Sequence, residues 1–313
     1  MRVVFLGTPD FAIPSLRALI DSPYEVVAVF TQPDRPAGRG QRLHASPVKM
    51  LAQALGIPAF TPERLRNEEN RPIVEGFAAD FIVVVAYGQI LPVWFLDAAR
   101  VAPVNVHGSL LPRYRGAAPV IWSLLNGDAV TGVTTMWMDE YLDTGDILLR
   151  EELPVPDTMT AGELAEELAR LGAGLLVPTL DGLREGTLLR VPQDHDQATL
   201  APRIDKAMGR IDWRRPAREI HNLVRAFNPW PLAYTEFRGS KLQILRSYLA
   251  PDREPVEQLA GAFVGVSGES LRVSCGVGSA LDLLQVQLAG RSAVSGREFV
   301  SGARLQPGTV LYG

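Results

Sequence analysis

Three stretches in the first third of the chain are apolar at every position: residues 3–6 (Val-Val-Phe-Leu), 26–30 (Val-Val-Ala-Val-Phe) and 81–86 (Phe-Ile-Val-Val-Val-Ala). A strand with one wet face alternates polar with apolar residues. A strand that is apolar throughout is covered on both faces. Between these runs the period changes to that of a helix. Phe11, Leu16, Leu19 and Ile20 mark a helix over 11–20 with Pro14 in its first turn, and another is expected at 48–55. Further strands are expected at 104–107, 132–138 and 146–153. A helix at 118–125 is stopped by Asn126-Gly127, and a helical stretch at 160–183 is interrupted at 172–174 and at Pro178. Alternating helices and fully apolar strands predict a doubly wound, mainly parallel α/β sheet of Rossmann-like type.

The pattern weakens after residue 188. Residues 193–199 (Gln-Asp-His-Asp-Gln-Ala-Thr) are polar and unpatterned, which predicts a first domain at 1–188, a linker at 189–205 and a second domain at 206–313. In the second domain a helix at 214–227 is closed by Asn228-Pro229-Trp230-Pro231. Short alternating segments follow at 233–237, 241–245, 261–266, 271–275 and 280–286. Five short strands split by Gly/Ser turns predict a small barrel of the oligonucleotide-binding-like kind. The overall charge of -4 conceals a division. Residues 1–205 hold 17 Lys/Arg against 26 Asp/Glu, and residues 206–313 hold 14 against 9, so the second part is basic by +5. A net positive part suits a polyanionic partner.

Composition excludes several classes. Of 313 residues 47% are hydrophobic and 21% charged, which is ordinary for a globular protein and not for a disordered one. No apolar run reaches the length of a membrane span. The first residues end in a Gly-Thr-Pro-Asp turn and read as a strand, not a signal peptide. The single Cys275 excludes an internal disulfide and any multi-cysteine metal site. A cytoplasmic location is expected.

The chemistry concentrates at Asn105-Val-His107-Gly-Ser-Leu-Leu-Pro112, with Asp143 thirty-six residues beyond His107. An amide can hold a developing oxyanion, an imidazole can move a proton near neutral pH, and a carboxylate can orient that imidazole. Such a set suits acyl transfer with no metal and no covalent nucleophile. Asn105 and His107 lie two apart, so in a strand both side chains share one face. Functional groups of parallel sheets gather at the carboxyl ends of the strands, where these residues fall. Asp139 and Asp146 compete with Asp143, and the residues alone rank Asp143 only slightly first.

Other motifs weigh less. Ser109 lacks the Gly-x-Ser-x-Gly frame of a nucleophile elbow. Gly7-Thr-Pro-Asp10 occupies the place of a dinucleotide fingerprint but lacks its later glycines, and Pro9 removes an amide that phosphate needs. His44, His195 and His221 have no metal-type spacing and read as structural or surface residues. The loop at 32–46 carries Arg35, Arg39 and Arg42 among glycines, and its length favours a phosphate-gripping finger over a solvated loop.

These segments resemble the bacterial methionyl-tRNA formyltransferase family. The likeness runs end to end through Gly7-Thr-Pro-Asp-Phe11, Phe30-Thr-Gln-Pro-Asp-Arg-Pro-Ala-Gly-Arg-Gly40, Val84-Val-Ala-Tyr-Gly88, the segment from Asn105 to Pro119, Leu142-Asp-Thr-Gly-Asp146 and Arg225-Ala-Phe-Asn-Pro-Trp-Pro231. The Asn/His/Asp set belongs to formyltetrahydrofolate-dependent enzymes in general, while the arginine loop and Phe-Asn-Pro-Trp-Pro are more specific to the tRNA enzymes. The resemblance implies transfer of a formyl group from 10-formyltetrahydrofolate to methionine on initiator tRNA, by a monomer without a metal. It implies Asn105, His107 and Asp143 as the catalytic set, and Ser109, Leu110, Leu111 and Pro112 with Gln89, Ile90 and Leu91 around the folate. Arg35, Arg39, Arg42 and Lys206 would meet tRNA. Gln41-Arg42 stands where the family often has two lysines, and Gly290-Arg291-Ser292 where a basic pair is usual. The alternatives are a formyltransferase acting on an amino sugar-nucleotide, which would need neither the arginine loop nor a basic second domain, and an RNA-binding module without catalysis.

Overall fold

The structure, a computed structural model, describes residues 1–37, 42–249 and 257–312. The chain divides into two units. Met1–Pro119, Val130–Pro154 and Ala165–Pro202 form the first, and Val120–Ala129, Val155–Leu164 and Arg203–Gly313 the second.

The strands of the first unit are β1 (Arg2–Gly7), β2 (Glu25–Phe30), β3 (Arg35–Ala37), β4 (Arg42–His44), β5 (Ala59–Phe60), β6 (Phe81–Val85), β7 (Ala102–His107), β8 (Arg115–Gly116), β9 (Val130–Trp137), β10 (Ile147–Pro154) and β11 (Leu200–Ala201). Seven of them make one sheet in the order β10-β9-β7-β6-β1-β2-β5. Strands β5, β2, β1, β6 and β7 run parallel, and β9 and β10 add an antiparallel edge. The helices up to residue 185 are α1 (Ile13–Ile20), α2 (Pro47–Ala54), α3 (Arg71–Gly76), α4 (Val93–Leu96), α5 (Pro119–Leu125) and α6 (Ala161–Glu185), of which α5 from Val120 and α6 as far as Leu164 fall in the second unit. The expected mainly parallel α/β sheet is therefore present. Its uniformly apolar strand β6 buries as expected at every residue, and every residue of β7 is buried as well, its polar Asn105 and His107 included.

Strand β7 sorts its side chains by parity. On one face Val106 meets α6, where the helix approaches so closely that a Cβ on Gly172 would lie 2.7 Å from Val106 Cγ1. Asn105 and His107 therefore point to the other face. The same contact explains why the glycines at 172–174 do not interrupt the helix. α6 runs unbroken for 25 residues with Pro178 inside it. Within the arginine loop β3 and β4 pair antiparallel, with Arg35 opposite His44 and Pro36 opposite Leu43.

Residues 189–205, expected as a linker, are built into the first unit as far as Pro202. β11 pairs in parallel with β8, and Val191 bridges Ile147. The polar side chains that made this segment look like a tether are spent on hydrogen bonds within the first unit.

The second unit holds α7 (Ala217–Ala226), β12 (Ala233–Phe237), β13 (Ser240–Tyr248), β14 (Phe263–Ser267), β15 (Ser270–Ser274), β16 (Ala280–Leu288), β17 (Val294–Ser295) and α8 (Gly296–Ala303). The antiparallel sheet runs β12-β13-β16-β15-β14. Residues 309–312 close it into the expected barrel. Tyr312 exchanges hydrogen bonds with Glu236 of β12 at 2.7 and 3.0 Å, and on the other side Phe263 N donates to Thr309 O at 2.7 Å and Leu311 N to Gly261 O at 2.8 Å. Closure leaves no free strand edge between β12 and β14. Ile220 and Val224 of α7, together with Phe299 of α8, complete the barrel's apolar core.

Candidate active site

β6 and β7 are parallel neighbours, so their carboxyl ends emerge side by side. His107 ends β7, and the loop holding Gln89, Ile90 and Leu91 follows β6. The turn between β9 and β10 brings Asp143 to the same place. Asn105, His107 and Asp143 are 9%, 6% and 8% exposed, a buried polar cluster in an otherwise apolar strand end. Asn105 Nδ2 donates to Asp143 Oδ1 at 3.4 Å, and Asp143 Oδ2 lies 3.8 Å from His107 Nδ1.

The carboxylate and the imidazole are each fixed by backbone. Gly116 N donates to Asp143 Oδ2 at 2.8 Å. His107 Nε2 lies 2.9 Å from Tyr114 O. A carbonyl only accepts, so Nε2 carries a proton and, in the neutral ring, Nδ1 presents its lone pair towards Asp143. The Tyr114 carbonyl, not Asp143, thus orients the ring. At 3.8 Å the gap between Nδ1 and the carboxylate exceeds a direct hydrogen bond, and it leaves room for a proton-bearing group.

The three acids of this turn separate by their partners. Asp139 accepts from Thr144 Oγ1 and from Tyr141 N, and so shapes the turn. Asp146 pairs with Arg190 at 2.8 Å near the surface. Only Asp143 of the three reaches Asn105 and His107. Its φ of 55° is left-handed, a costly state for a non-glycine residue.

Buried partners that the sequence reading passed over surround the turn. Gln193 Nε2 donates to the carbonyls of Asp143 and Gly145 at 2.9 and 2.7 Å, and Gln193 Oε1 accepts from Arg115 at 3.0 and 2.7 Å. Arg115 also contacts His195 Nδ1 at 3.1 Å. Arg115 directly precedes Gly116 within the segment from Asn105 to Pro119, and that position was the one available signal.

Comparison with known proteins identifies the family. Residues 1–180 match the family model described as formyl transferase, and residues 203–304 match its C-terminal domain. The methionyl-tRNA formyltransferase of Acetivibrio thermocellus is 45% identical over 99% of this chain and 99% of its own. That of Solibacter usitatus is 49% identical over 97% of this chain and 96% of its own. The chain belongs to the methionyl-tRNA formyltransferase family. It is a formyltransferase. Among solved structures, the sugar 3N-formyl transferase WlaRD shares the fold at a TM-score of 0.68 and 20% identity, covering 93% of this chain and 99% of its own. The N-formyltransferase from Helicobacter canadensis does so at 0.65 and 20%, covering 90% and 98%.

The remaining residues expected to serve a methionyl-tRNA formyltransferase fall in different settings. Ser109 is fully buried, its hydroxyl donating to Arg113 O at 2.7 Å, and Leu111 is in the core against Met136 and Ile147. The Ser109 carbonyl and the Leu111 amide are both bound by Thr134 Oγ1. Leu91 also belongs to the core, and Gln89 spends its amide on Leu65 N and on Pro62 O. Ile90 is 79% exposed. Together with Gln89, Arg64 and Arg66 it lines a cavity of about 330 Å³. Arg64 and Arg66 were not among the expected residues, because nothing in their sequence setting marks them. Of the residues expected to meet tRNA, Arg35 is exposed in β3 and Lys206 is exposed in a single 3-10 turn at Lys206–Gly209. Arg39 lies outside the described residues, and of Arg42 the backbone alone is described. His44 is exposed, while His221 is buried on α7.

No helix of the described residues is long and apolar enough to cross a membrane. Among the same residues no group of three His, Cys, Asp or Glu side chains is placed to hold a metal.

Proposed function

We propose that the chain moves a formyl group from 10-formyltetrahydrofolate to the α-amine of methionine on initiator tRNA, with Asn105, His107 and Asp143 as the catalytic set. The observation that carries the chemistry is the convergence of amide, imidazole and carboxylate at one buried strand end. Relatives 45% and 49% identical over nearly their whole length, with the name methionyl-tRNA formyltransferase, favour an aminoacyl-tRNA over an amino sugar-nucleotide as acceptor.

The residues present fit a folate donor. Tetrahydrofolate has a flat ring system and an anionic glutamyl tail. Exposed Ile90 and the guanidiniums of Arg64 and Arg66 around one cavity offer apolar contact and positive charge of the matching kind. The donor supplies an activated formyl carbonyl. Everything else is the work of side chains.

Attack by the amine nitrogen makes a C–N bond and puts negative charge on the formyl oxygen. Asn105 Nδ2 has two hydrogens, one directed at Asp143 and one left for that oxygen. The amine must lose a proton, and the departing folate nitrogen must gain one as its C–N bond breaks. His107 Nδ1 receives the first, since Nε2 is already committed to Tyr114 O. Asp143 stabilises the imidazolium so formed across the 3.8 Å gap. The same Nδ1 then returns the proton to the leaving nitrogen.

The test is a formylation assay with the donor and charged initiator tRNA. Wild-type chain should give formylmethionyl-tRNA. Asn105→Ala and His107→Ala should each lose on the order of 100-fold or more in turnover while retaining the wild-type unfolding temperature. Near-normal turnover in either variant would reject the catalytic set, and formylation of an amino sugar-nucleotide in place of tRNA would reject the acceptor.

A further inference from the structure

Residues 193–201 hydrogen-bond both to the segment 114–118 and to the Asp143 turn, which together hold the catalytic cluster. Thr199 is at one end: its carbonyl accepts from Arg115 N at 2.8 Å and its hydroxyl from Tyr114 N at 2.8 Å. Ala201 O accepts from Ala118 N at 3.1 Å and leaves so little space that a Cβ on Gly116 would sit 2.6 Å from it. The gripped segment, residues 114–116, supplies the Tyr114 carbonyl to His107 and the Gly116 amide to Asp143. Gln193 is at the other end and holds the main chain of the Asp143 turn.

Gln193 is 5% exposed and its amide is saturated. Its oxygen takes two guanidinium hydrogens of Arg115, and its nitrogen gives both hydrogens to the carbonyls of Asp143 and Gly145. Turning the amide over would set its NH2 against the guanidinium and its oxygen against two carbonyls. One orientation is therefore enforced. The turn it holds needs such a hold. Asp143 is left-handed at φ 55°, and Gly145 is so close to Trp137 O that a Cβ there would lie 1.8 Å from it.

We infer that Gln193 is a positioning residue for the transfer reaction: locked by Arg115, its amide pins the Asp143 turn and so sets the separation of Asp143 from His107. This rests on the reading of Asn105, His107 and Asp143 as the catalytic set. Gln193 touches no reacting atom, and its effect reaches the chemistry through the main chain of residue 143.

The experiment uses the full chain. Gln193→Glu keeps an oxygen for Arg115 but replaces the donor with a second oxygen facing two carbonyls. Turnover should fall on the order of 10- to 100-fold, the scale of a displaced catalytic group. KM for donor and tRNA should stay within about twofold, because neither substrate meets Gln193. The ring nitrogen resonances of His107 should shift, since the carboxylate beside Nδ1 has moved. Gln193→Asn, which keeps both donor and acceptor one methylene short, should lose less, and it stands in if the Glu variant does not fold. Wild-type turnover in the folded variants, or His107 resonances superimposed on those of the wild type, would overturn the inference. Asp143→Asn is the control. If that variant turns over normally the catalytic set itself is wrong; if it is inactive while Gln193→Glu is normal, only the positioning role falls.

Discussion

Asp143 and Asp146 are three residues apart, both carboxylates, and the structure asks opposite things of them. Asp146 meets Arg190 at 2.8 Å, with 26% of its side chain and 47% of that of Arg190 exposed. An ion pair so wet is worth about 0–1 kcal/mol. Asp143 is buried against an amide, a backbone N–H and an imidazole that must become charged. Asp143→Asn keeps the shape and removes the charge. Formylation should fall on the order of 100-fold, because the imidazolium loses its counter-charge in a water-poor setting. Asp146→Asn should change turnover less than about threefold. Single-turnover rates on charged initiator tRNA decide it, and equal losses in the two variants would show that the turn as a whole, not the Asp143 carboxylate, is what matters. The sequence brought these two acids to near parity for a physical reason. A carboxylate's role depends on which way a turn aims it, and a left-handed residue within Asp-Thr-Gly leaves no mark in spacing.

Single elements show where sequence pattern carries and where it stops. The apolar runs of β1, β2 and β6 are legible because two-sided burial admits nothing polar, and the parity of Asn105 and His107 follows from the strand period. Residues 193–201 were illegible because their stabilisation is polar and non-local: Arg115 and Gln193 are 78 positions apart and leave no hydrophobic rhythm. The unbroken α6 was missed because glycine reads as a breaker, whereas Gly172 is there to let β7 approach. α7 repeats the lesson with a histidine. His221 is buried, accepts from Ser247 Oγ at 2.9 Å and donates from Nε2 to Asp157 O at 2.9 Å. Burial, more than any neighbour, holds its imidazole below the ordinary value of 6.5; Arg225 and Arg218 act the same way, while Asp157 opposes them. The unfolded chain therefore takes up a proton at a pH where the folded chain still refuses it. Stability contributed by neutral His221 is complete above about 6.5 and is lost as pH falls below it. Glu163, held at about 2 chiefly by the Thr160 backbone amide and then by Arg246, adds loss only in a lower window, from 4.5 downward. The unfolding temperature of the full chain should drop from about pH 7 to about pH 5, and His221→Gln should flatten that slope. Parallel slopes in the two proteins would assign the acid sensitivity elsewhere.

Across the whole chain, the division into an acidic 1–205 and a basic 206–313 overstates the positive charge that a polyanion would meet. Among the described residues, six of the second part's twelve arginines face carboxylates. Arg214 pairs with Asp212, Arg215 with Glu219, Arg218 with Asp157, Arg246 with Glu163, Arg272 with Asp282 and Arg297 with Glu269. Lys241 and Arg238 lie over the rings of Tyr234 and Phe237. Lys206 opens its 3-10 turn exposed, while the Asp205 carboxylate is turned to the backbone amide of Ala207. Counterion release scales with the number of phosphates neutralised, so a chain with half the arginines of its basic part internally paired should bind tRNA with a shallow dependence on salt. A plot of log affinity for charged initiator tRNA against log salt should fall with a slope of about -2 to -4, well short of the slope near -10 of a strongly basic binder. Lys206→Ala should make it shallower by about 0.7 to 1, weakening binding without altering single-turnover formylation at saturating tRNA. An unchanged slope would remove Lys206 from the interface. A wild-type slope near zero would remove more: the excess of positive charge beyond residue 205 would then have no polyanion to meet, and recognition of the acceptor would rest on the first unit alone.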